Sequence, residues 1–221
     1  MLSISFVKNG TTMIHAYNQF YLHDAMATLG AMLDYAVGRC GEDMEFFYSR
    51  FLACGVAEQW YQGNPKYIAG MSGTEIALEV ASRTGRELPL LAGMIDIGSP
   101  EYWTGWTVAY ISWDLNMSFQ TLQSRGMTIR ELYDRYPVLH EADLSKSLAF
   151  AESIMQEKAG NPLKTARKNA GLTQQELAER TGINIRSIRA YEQGQLGLEN
   201  ASAATLLRIS QVLGCPPRML I

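Results

Sequence analysis

The chain has 221 residues, an apolar content of 47% and a formal net charge of −3, which is enough for two small domains with cores of their own. No apolar run approaches the roughly 20 residues of a membrane-spanning helix, and no charged-then-apolar signal peptide opens the chain, so we expect a cytoplasmic protein without a membrane segment. The cysteines Cys40, Cys54 and Cys215 form no metal-ligand pattern and are expected to be reduced thiols.

The charge is unevenly distributed along the chain. Residues 158–221 hold nine basic and four acidic side chains, a net charge of +5, which leaves −8 for residues 1–157. A basic C-terminal segment on an acidic body favours nucleic-acid binding by the C-terminal part. We therefore expect two domains, residues 1–157 and residues 158–221.

The N-terminal part begins with a segment that has no helical period. Residues 1–12 end in the turn pair Asn9-Gly10, so we expect a tail or a short extended piece, and Met13 is a second candidate start besides Met1. A helix is predicted from about Tyr17 to Cys40, because apolar residues recur at steps of four and three: Leu22, Met26, Leu29, Leu33, Ala36 and Cys40. This seam is expected to pack inside its own domain, with half of a dimer interface as the alternative.

A second long helix is predicted from about Glu42 to Gln62. The glycine-rich residues 63–73 that follow are expected to connect helices, with an anion-binding loop as the alternative, although the ending of a phosphate-binding P-loop is missing. Ser72 and Glu75 have capping-box spacing and predict the start of another helix. Residues 85–100 contain two prolines and three glycines and are predicted to form a long loop.

An aromatic stripe marks the next predicted helix, which Ser99 caps. Its members step by three and four: Trp103, Trp106, Tyr110, Trp113 and Met117. Such a stripe is expected to lie in the core, because each large ring buries a large area, with a small-molecule pocket as the alternative. A later helix from Leu144 is predicted to bury Leu148, Ala151 and Met155, and residues 156–161 are the predicted interdomain linker.

No catalytic or metal-binding set is predicted. The segment His140-Glu141-Ala142-Asp143 lacks a second spaced histidine, and Asp143 stands where a helix cap belongs. His15 and His23 have no matching partners in the sequence. We therefore expect no enzymatic activity and no cofactor.

The segment from Leu172 to Gln193 has the most specific pattern in the chain. Thr173 and Glu176 form a capping box, and Gly182 ends the helix that they begin. Asn184 caps a second helix whose apolar positions, Ile185, Ile188 and Tyr191, recur at helical spacing. Two short helices joined by a glycine turn, with the small Ala178 at their crossing, are typical of a helix-turn-helix.

Residues 161–221 resemble the Cro/repressor-type (XRE) DNA-binding domain, a bundle of five helices. The matching positions extend over about sixty residues: Leu172, Gln174, Glu176, Leu177, Ala178, Gly182, Ile188, Glu192 and the Leu206–Gly214 run. The chain departs from the family at its end, where residues 216–221 leave room for barely one turn of the fifth helix. The expected fold class is all-α, and the N-terminal part resembles, more weakly, the helical domain fused to such modules in some bacterial regulators.

The resemblance implies that residues 184–193 read the major groove of double-stranded DNA. Base-edge contacts are expected from Ile185, Arg186, Arg189 and Ala190, phosphate contacts from Gln174, Asn184 and Gln193, and either kind from Ser187. The implied function is a sequence-specific transcription regulator, expected to be a repressor, that binds as a homodimer through its N-terminal domain. The alternative is an antitoxin, in which residues 1–157 neutralise a toxin. In the antitoxin, the partner of residues 1–157 is a protein, the toxin. In the transcription regulator, residues 1–157 bind a small-molecule effector.

Overall fold

The computed structural model describes residues 15–220, together with the backbone of two short strands, β1 (Phe6–Lys8) and β2 (Thr11–Met13). The strands pair antiparallel, with Val7 opposite Thr12. The short extended piece predicted for residues 1–12 is thus a strand pair, and the predicted turn at Asn9-Gly10 and the candidate start at Met1 lie outside the described residues. The rest of the described chain is helical, in agreement with the all-α prediction.

The described residues form thirteen α-helices. In chain order these are α1 (Leu22–Leu33), α2 (Met44–Ala53), α3 (Val56–Tyr61), α4 (Gly73–Arg83), α5 (Pro100–Asp114), α6 (Phe119–Ser124), α7 (Ile129–Tyr133), α8 (Tyr136–Leu139), α9 (Leu144–Ala159), α10 (Pro162–Asn169), α11 (Gln174–Thr181), α12 (Ile185–Glu192) and α13 (Ala203–Leu213). Shorter helical turns are of the 3-10 type at Gln19–Tyr21, Leu198–Asn200 and Pro217–Met219, and of the π type at Asp34–Arg39 and Lys66–Gly70.

The chain divides into two compact units, residues 1–155 and residues 156–221. The predicted linker is mostly helical, because α9 continues to Ala159 before Gly160 adopts a left-handed φ of 69°. Asn161 then caps α10, accepting a hydrogen bond from the backbone of Lys164. No described helix is both long and apolar enough to cross a membrane.

The core of the N-terminal unit is organised around the contact between α1 and α5. Gly105 lets the two backbones approach closely, because a Cβ added there would overlap the backbone of Leu29. The predicted α1 seam is buried from Leu22 to Ala36, and Cys40 is half-buried. The seam therefore packs inside its own unit as expected, which leaves little of its surface for the alternative of a dimer interface.

One other prediction for this unit needs correction. The helix predicted from Glu42 to Gln62 is interrupted, because Gly55 adopts a left-handed φ of 83° and ends α2 before α3 begins. The aromatic stripe of α5 packs on the core as predicted, but it is not the most buried side of that helix. Trp103 is buried and Trp106, Tyr110 and Trp113 are half-buried, whereas Gly105, on another side, touches the α1 backbone at Leu29.

The C-terminal unit has a much smaller core, formed by side chains from all of its helices. Its buried apolar members, among the described residues, are Leu163, Leu172, Leu177, Ala178, Ile188, Leu198, Ile209 and Leu220. The unit has four α-helices, and the fifth position of the bundle is a single 3-10 turn at Pro217–Met219. This agrees with the predicted abbreviation of the fifth helix, and Pro217 stands at the first position of the turn, where proline is favoured.

Candidate nucleic-acid interface

The two helices of the predicted motif begin and end where their capping residues stand. The Thr173 hydroxyl accepts a hydrogen bond from the Glu176 backbone at 3.1 Å, and the Glu176 carboxylate accepts one from the Thr173 backbone at 2.7 Å. This capping box fixes the start of α11. The helix ends at Gly182, which has a left-handed φ of 65° that costs glycine little steric energy. Asn184 then caps α12 through the Arg186 backbone N–H, at 2.8 Å.

A buried ion pair joins α12 to α10 behind the motif. The Arg167 guanidinium donates from Nε to Oε1 of Glu192 at 2.6 Å and from Nη2 to Oε2 at 2.9 Å, a forked arrangement. The third nitrogen of the same guanidinium donates to the Leu172 carbonyl at 2.6 Å. Both charged side chains are less than a tenth exposed. The pair therefore fixes the C-terminal end of α12 against the rest of the unit.

Gln174, the expected phosphate contact, is part of this network. Its side-chain amide nitrogen donates to Oε2 of Glu192 at 2.8 Å, and the side chain is half-buried. An amide nitrogen carries two hydrogens, so one N–H remains for a second acceptor. The contact with Glu192 holds the amide in one orientation at the start of α11.

The ionisation of Glu192 is controlled by its neighbours. Burial raises the pKa of the Glu192 carboxyl, but hydrogen bonds from Arg167 and Gln174 and the charge of Arg167 outweigh burial, so the net shift of the pKa is downward. The same hydrogen bond raises the pKa of the Arg167 guanidinium. Both groups are therefore charged at neutral pH, which a buried pair requires for its hydrogen bonds.

The solvent-facing side of α12 carries the residues expected to read bases. Ile188 and Glu192 are buried and define the inner side of the helix. Arg186 and Arg189 are exposed, and Ile185, Ser187 and Ala190 are half-buried at the flanks. Residues three and four apart are neighbours on a helix, so Arg186 lies beside both Arg189 and Ala190. Within residues 15–220 neither guanidinium makes an ion pair or a hydrogen bond, which leaves both groups available to an external ligand.

The expected flanking contacts lie at the two ends of α12. Asn184 precedes the helix and Gln193 follows it, and both are exposed. The amide oxygen of Asn184 is engaged by the cap, whereas its amide nitrogen is not. The structure thus brings Asn184, the α12 residues and Gln193 together on one helix, with Gln174 joined to it through Glu192.

The sequence prediction did not identify Arg167 as a structural partner of Glu192. Arg167 was counted only as one of the basic residues, and 25 residues separate the two. One signal was present: Arg167 stands four residues after the buried Leu163 and so lies on the inner face of α10. A charged residue at an inner position indicates a buried partner of opposite charge.

Residues 163–220 match the family model described as helix-turn-helix. The C-terminal unit is a Cro/repressor-type helix-turn-helix domain. Domains of this family bind DNA, so the match supports DNA binding by the C-terminal unit. The match does not extend to residues 1–162, and no curated protein and no solved structure matches the chain.

Outside the helix-turn-helix domain, the alternatives raised by the sequence find little support in the geometry. The cavity beside Trp60 and Trp113 has a volume of about 10 Å³, room for about one water molecule. His15 stacks on Trp113 with ring centroids 3.9 Å apart, and the Trp113 indole donates to the Tyr17 carbonyl at 3.1 Å, so this ring is already covered. Residues 66–70 form a π-helical turn rather than an open anion-binding loop.

The histidine segment also has local partners. Nδ1 of His140 lies 2.8 Å from the Tyr136 carbonyl, and its ring stacks on Tyr136. Across the described part of the chain, no three His, Cys, Asp or Glu side chains come together in a group that would hold a metal ion. Asp143 accepts a hydrogen bond from the Ser145 backbone at 2.8 Å, which is the capping role predicted for it.

Proposed function

We propose that the protein is a sequence-specific transcription repressor that reads double-stranded DNA with residues 184–193. The observation that supports this most directly is the pair of exposed guanidinium groups of Arg186 and Arg189 on the outer side of α12, which make no ion pair or hydrogen bond with the described residues. The helix itself is anchored by Ile188 and by the buried pair of Glu192 with Arg167. A fixed helix with free donors loses little conformational entropy when it enters a groove.

In the proposed complex each side chain has a distinct role. The forked guanidinium of Arg186 donates to the O6 and N7 acceptors of guanine, the commonest specific contact in the major groove. Ile185 and Ala190 contact thymine methyl groups, and Arg189 and Ser187 contact base edges or the adjacent backbone. Asn184, Gln193 and the second N–H of Gln174 bind phosphates, which position the helix without reading sequence.

A homodimer is part of the proposal, because one domain of this kind contacts only one half-site, and the two half-sites lie about one helical turn apart. The α1 seam is buried and leaves little of its surface for dimerisation. A groove of about 440 Å³ in the helix-turn-helix domain supports a dimer contact there. It is lined by Ala166, Leu213, Cys215 and Met219, and Met219 is 62% exposed. Sedimentation velocity on the full chain, with and without Met219→Ser, tests this proposal.

Selection of binding sites from random DNA by the full chain is the experiment that tests base reading. We expect one enriched sequence with half-sites about 10 bp apart, bound at least about a thousandfold more tightly than non-specific DNA. Recovery of DNA without any enriched sequence would refute the proposal. Placing the selected site at a promoter and measuring transcription with and without the protein then tests repression, and a rise in transcription would refute that part alone.

An antitoxin is the second candidate function, and one observation favours it. The N-terminal unit exposes Leu90, Met94 and Ile97 on a loop whose backbone is extensively hydrogen-bonded, as expected of a surface that covers another protein. Expression of each neighbouring gene with and without this chain distinguishes the two functions. An antitoxin restores growth that a neighbour arrests, whereas a repressor alone does not.

A further inference from the structure

Residues 87–97, which we call the apolar strap, expose more large apolar side chains than any comparable stretch of the described chain. The strap contains no helix or strand. Leu90 is 83% exposed, Met94 93% and Ile97 75%. Single exposed apolar residues are common on protein surfaces, but several within eight positions mark an interaction site.

The strap is held by three polar side chains of the π-helical turn Asp34–Arg39. The Tyr35 hydroxyl donates to the Pro89 carbonyl at 2.6 Å and accepts from the Leu91 backbone at 3.1 Å. Arg39 donates to three consecutive carbonyls, those of Leu91, Ala92 and Gly93, at 3.0, 2.8 and 3.3 Å. The strap backbone is therefore ordered before any partner arrives.

The far end of the strap is fixed by a buried carboxylate. Asp34 is 2% exposed and accepts from the Asp96 backbone at 3.2 Å and from the Ser99 hydroxyl at 2.7 Å. π-Helical turns are rare and often occur at functional sites. Here three polar side chains of the π turn bind a loop in which Leu88 is the one large apolar residue that is buried.

The charge of this surface indicates which partner it fits. Residues 87–97 contain two acids, Glu87 and Asp96, and no lysine or arginine; Arg39 and Arg86 adjoin them, and residues 1–157 as a whole carry a net charge of −8. A second copy of the unit would bring like charges together, and nucleic acid and anionic membranes would be repelled. A basic protein gains both the burial of the apolar side chains and favourable long-range attraction.

We propose that the apolar strap is the docking element for a basic protein, which receives Leu90, Met94 and Ile97 in an apolar groove bordered by lysine or arginine side chains. A few large side chains commonly dominate the binding energy of such an interface. Because the strap is already hydrogen-bonded, less ordering entropy opposes binding than for a flexible loop. The proposal does not depend on DNA binding by the C-terminal unit.

The test uses the full chain with a photo-reactive phenylalanine analogue at position 90, 94 or 97, expressed in the source organism. Position 20 is the matched control, because Phe20 is 82% exposed in the same unit but outside the strap. We expect ultraviolet light to couple the three strap positions, and not position 20, to one protein of net positive charge. Mass spectrometry of the adduct identifies that protein and the peptide at the contact.

Quantitative binding to the purified captured protein decides the proposal. We expect L90S/M94S/I97S to weaken binding at least tenfold and Phe20→Ser to change it less than twofold, and we expect the wild-type affinity to fall as salt increases. Arg39→Gln, which removes the donors to the strap carbonyls, should weaken binding by a smaller factor while leaving the exposed side chains intact. Unchanged tryptophan fluorescence and circular dichroism confirm that each variant is folded.

Four results would overturn the proposal. These are adducts only with a second copy of the chain, a captured protein of net negative charge, equal capture from position 20, and wild-type affinity of the triple variant. The absence of any adduct from the three strap positions would count against it equally, since such analogues label proteins within contact distance.

Discussion

The two units of this chain are stabilised in different ways. The N-terminal unit has a large apolar core in which α1 and α5 touch through Gly105. The described part of the C-terminal unit has only eight buried apolar residues and adds the buried, forked ion pair of Arg167 with Glu192. A small domain buries too little apolar surface to do without such local and polar contributions.

In the C-terminal unit the capping box, the glycine turn and the apolar positions stand at the spacing of a known motif, so DNA binding can be inferred from its sequence, whereas the function of the N-terminal unit cannot. A capping box or a glycine turn lies within a few residues of sequence and therefore leaves a pattern that can be recognised. A large apolar core is built from long-range contacts that many sequences satisfy. Tryptophan fluorescence reports on the N-terminal unit, since all four tryptophans, Trp60, Trp103, Trp106 and Trp113, lie in it.

The largest expected effect follows from removing one member of the buried ion pair. Glu192→Ala leaves the Arg167 guanidinium buried without its partner, and losing one member of such a pair costs about 3–5 kcal/mol. The free energy of unfolding of the C-terminal unit should fall by this amount. In urea titrations of the full chain, the far-UV circular dichroism should show the loss while the tryptophan fluorescence transition stays where it is.

Glu199→Ala is the matched control, because it removes an exposed carboxylate from the same unit. It should change the free energy of unfolding by less than about 0.5 kcal/mol. Equal shifts of the fluorescence and circular dichroism transitions in Glu192→Ala would show that the two units unfold together. This result would contradict the separate stabilisation of the two units.

The same pair predicts a pH dependence confined to the C-terminal unit. The folded-state pKa of Glu192 is lowered, so its stabilising contribution is present above the unfolded carboxyl pKa of about 4.3 and is lost as the pH falls through the lower folded value. The difference in unfolding free energy between wild type and Glu192→Ala should therefore shrink below pH 4. A difference that stays constant from pH 7 to pH 3 would contradict the role assigned to the carboxylate.

A smaller loss of unfolding free energy is expected from adding a side-chain atom where α1 and α5 touch. Gly105→Ala adds a Cβ that would overlap the Leu29 backbone, and overpacking of this kind costs about 1–3 kcal/mol. Here the tryptophan fluorescence transition should move. Gly38→Ala is the control, since its Cβ would meet neighbours at no less than 3.4 Å, and it should leave that transition unchanged or slightly stabilised.

The predictable part of the fold is the part that short-range chemistry determines. The capping boxes at Ser72 and Thr173 and the left-handed Gly182 were predicted correctly because each involves a few neighbouring residues. The inner face of α9 was also predicted, since Leu148, Ala151 and Met155 are buried. In the candidate interface, the expected base-reading residues lie together because they are close in sequence and belong to one short helix, α12.

The rest depends on contacts that no local pattern contains. The break at Gly55 was missed although glycine disfavours helix interiors, because the apolar spacing continued across it. The deeper side of α5 was missed because its small residues, such as Gly105, bury less area than tryptophan yet allow closer packing. The strap gave no signal beyond loop composition, since its order comes from Asp34, Tyr35 and Arg39, more than 50 residues earlier.

The next effect concerns base reading and is confined to the C-terminal unit. Arg186→Ala should weaken binding to the selected site by about 1–3 kcal/mol and relax the preference at one base pair. Arg180→Ala removes the same charge from the exposed side of α11 and should weaken selected and unrelated sites to a similar small extent. Full base discrimination by Arg186→Ala in a titration of single-substitution sites would contradict the role proposed for α12.

Gln174 is expected to give the smallest effect, and its position in the buried network determines how it must be tested. Because its amide donates to Glu192, truncation removes a donor from a buried carboxylate as well as the proposed phosphate contact. Loss of one hydrogen bond to a charged group costs about 1.5–3 kcal/mol of folding free energy. Titrations with DNA must therefore be corrected for the folded fraction, which the circular dichroism transition provides.

After that correction, Gln174→Met, which preserves the length of the side chain, should weaken selected and altered sites by the same factor, because a phosphate carries no sequence information. The slope of log affinity against log salt should stay unchanged, since an uncharged amide displaces no counterion when it binds a phosphate. The salt slope of Arg180→Ala, measured beside it, shows how large a change the removal of one charge produces. A loss confined to one base pair would mean that Gln174 reads a base, and the proposed boundary of the reading surface, residues 184–193, would have to extend to the start of α11.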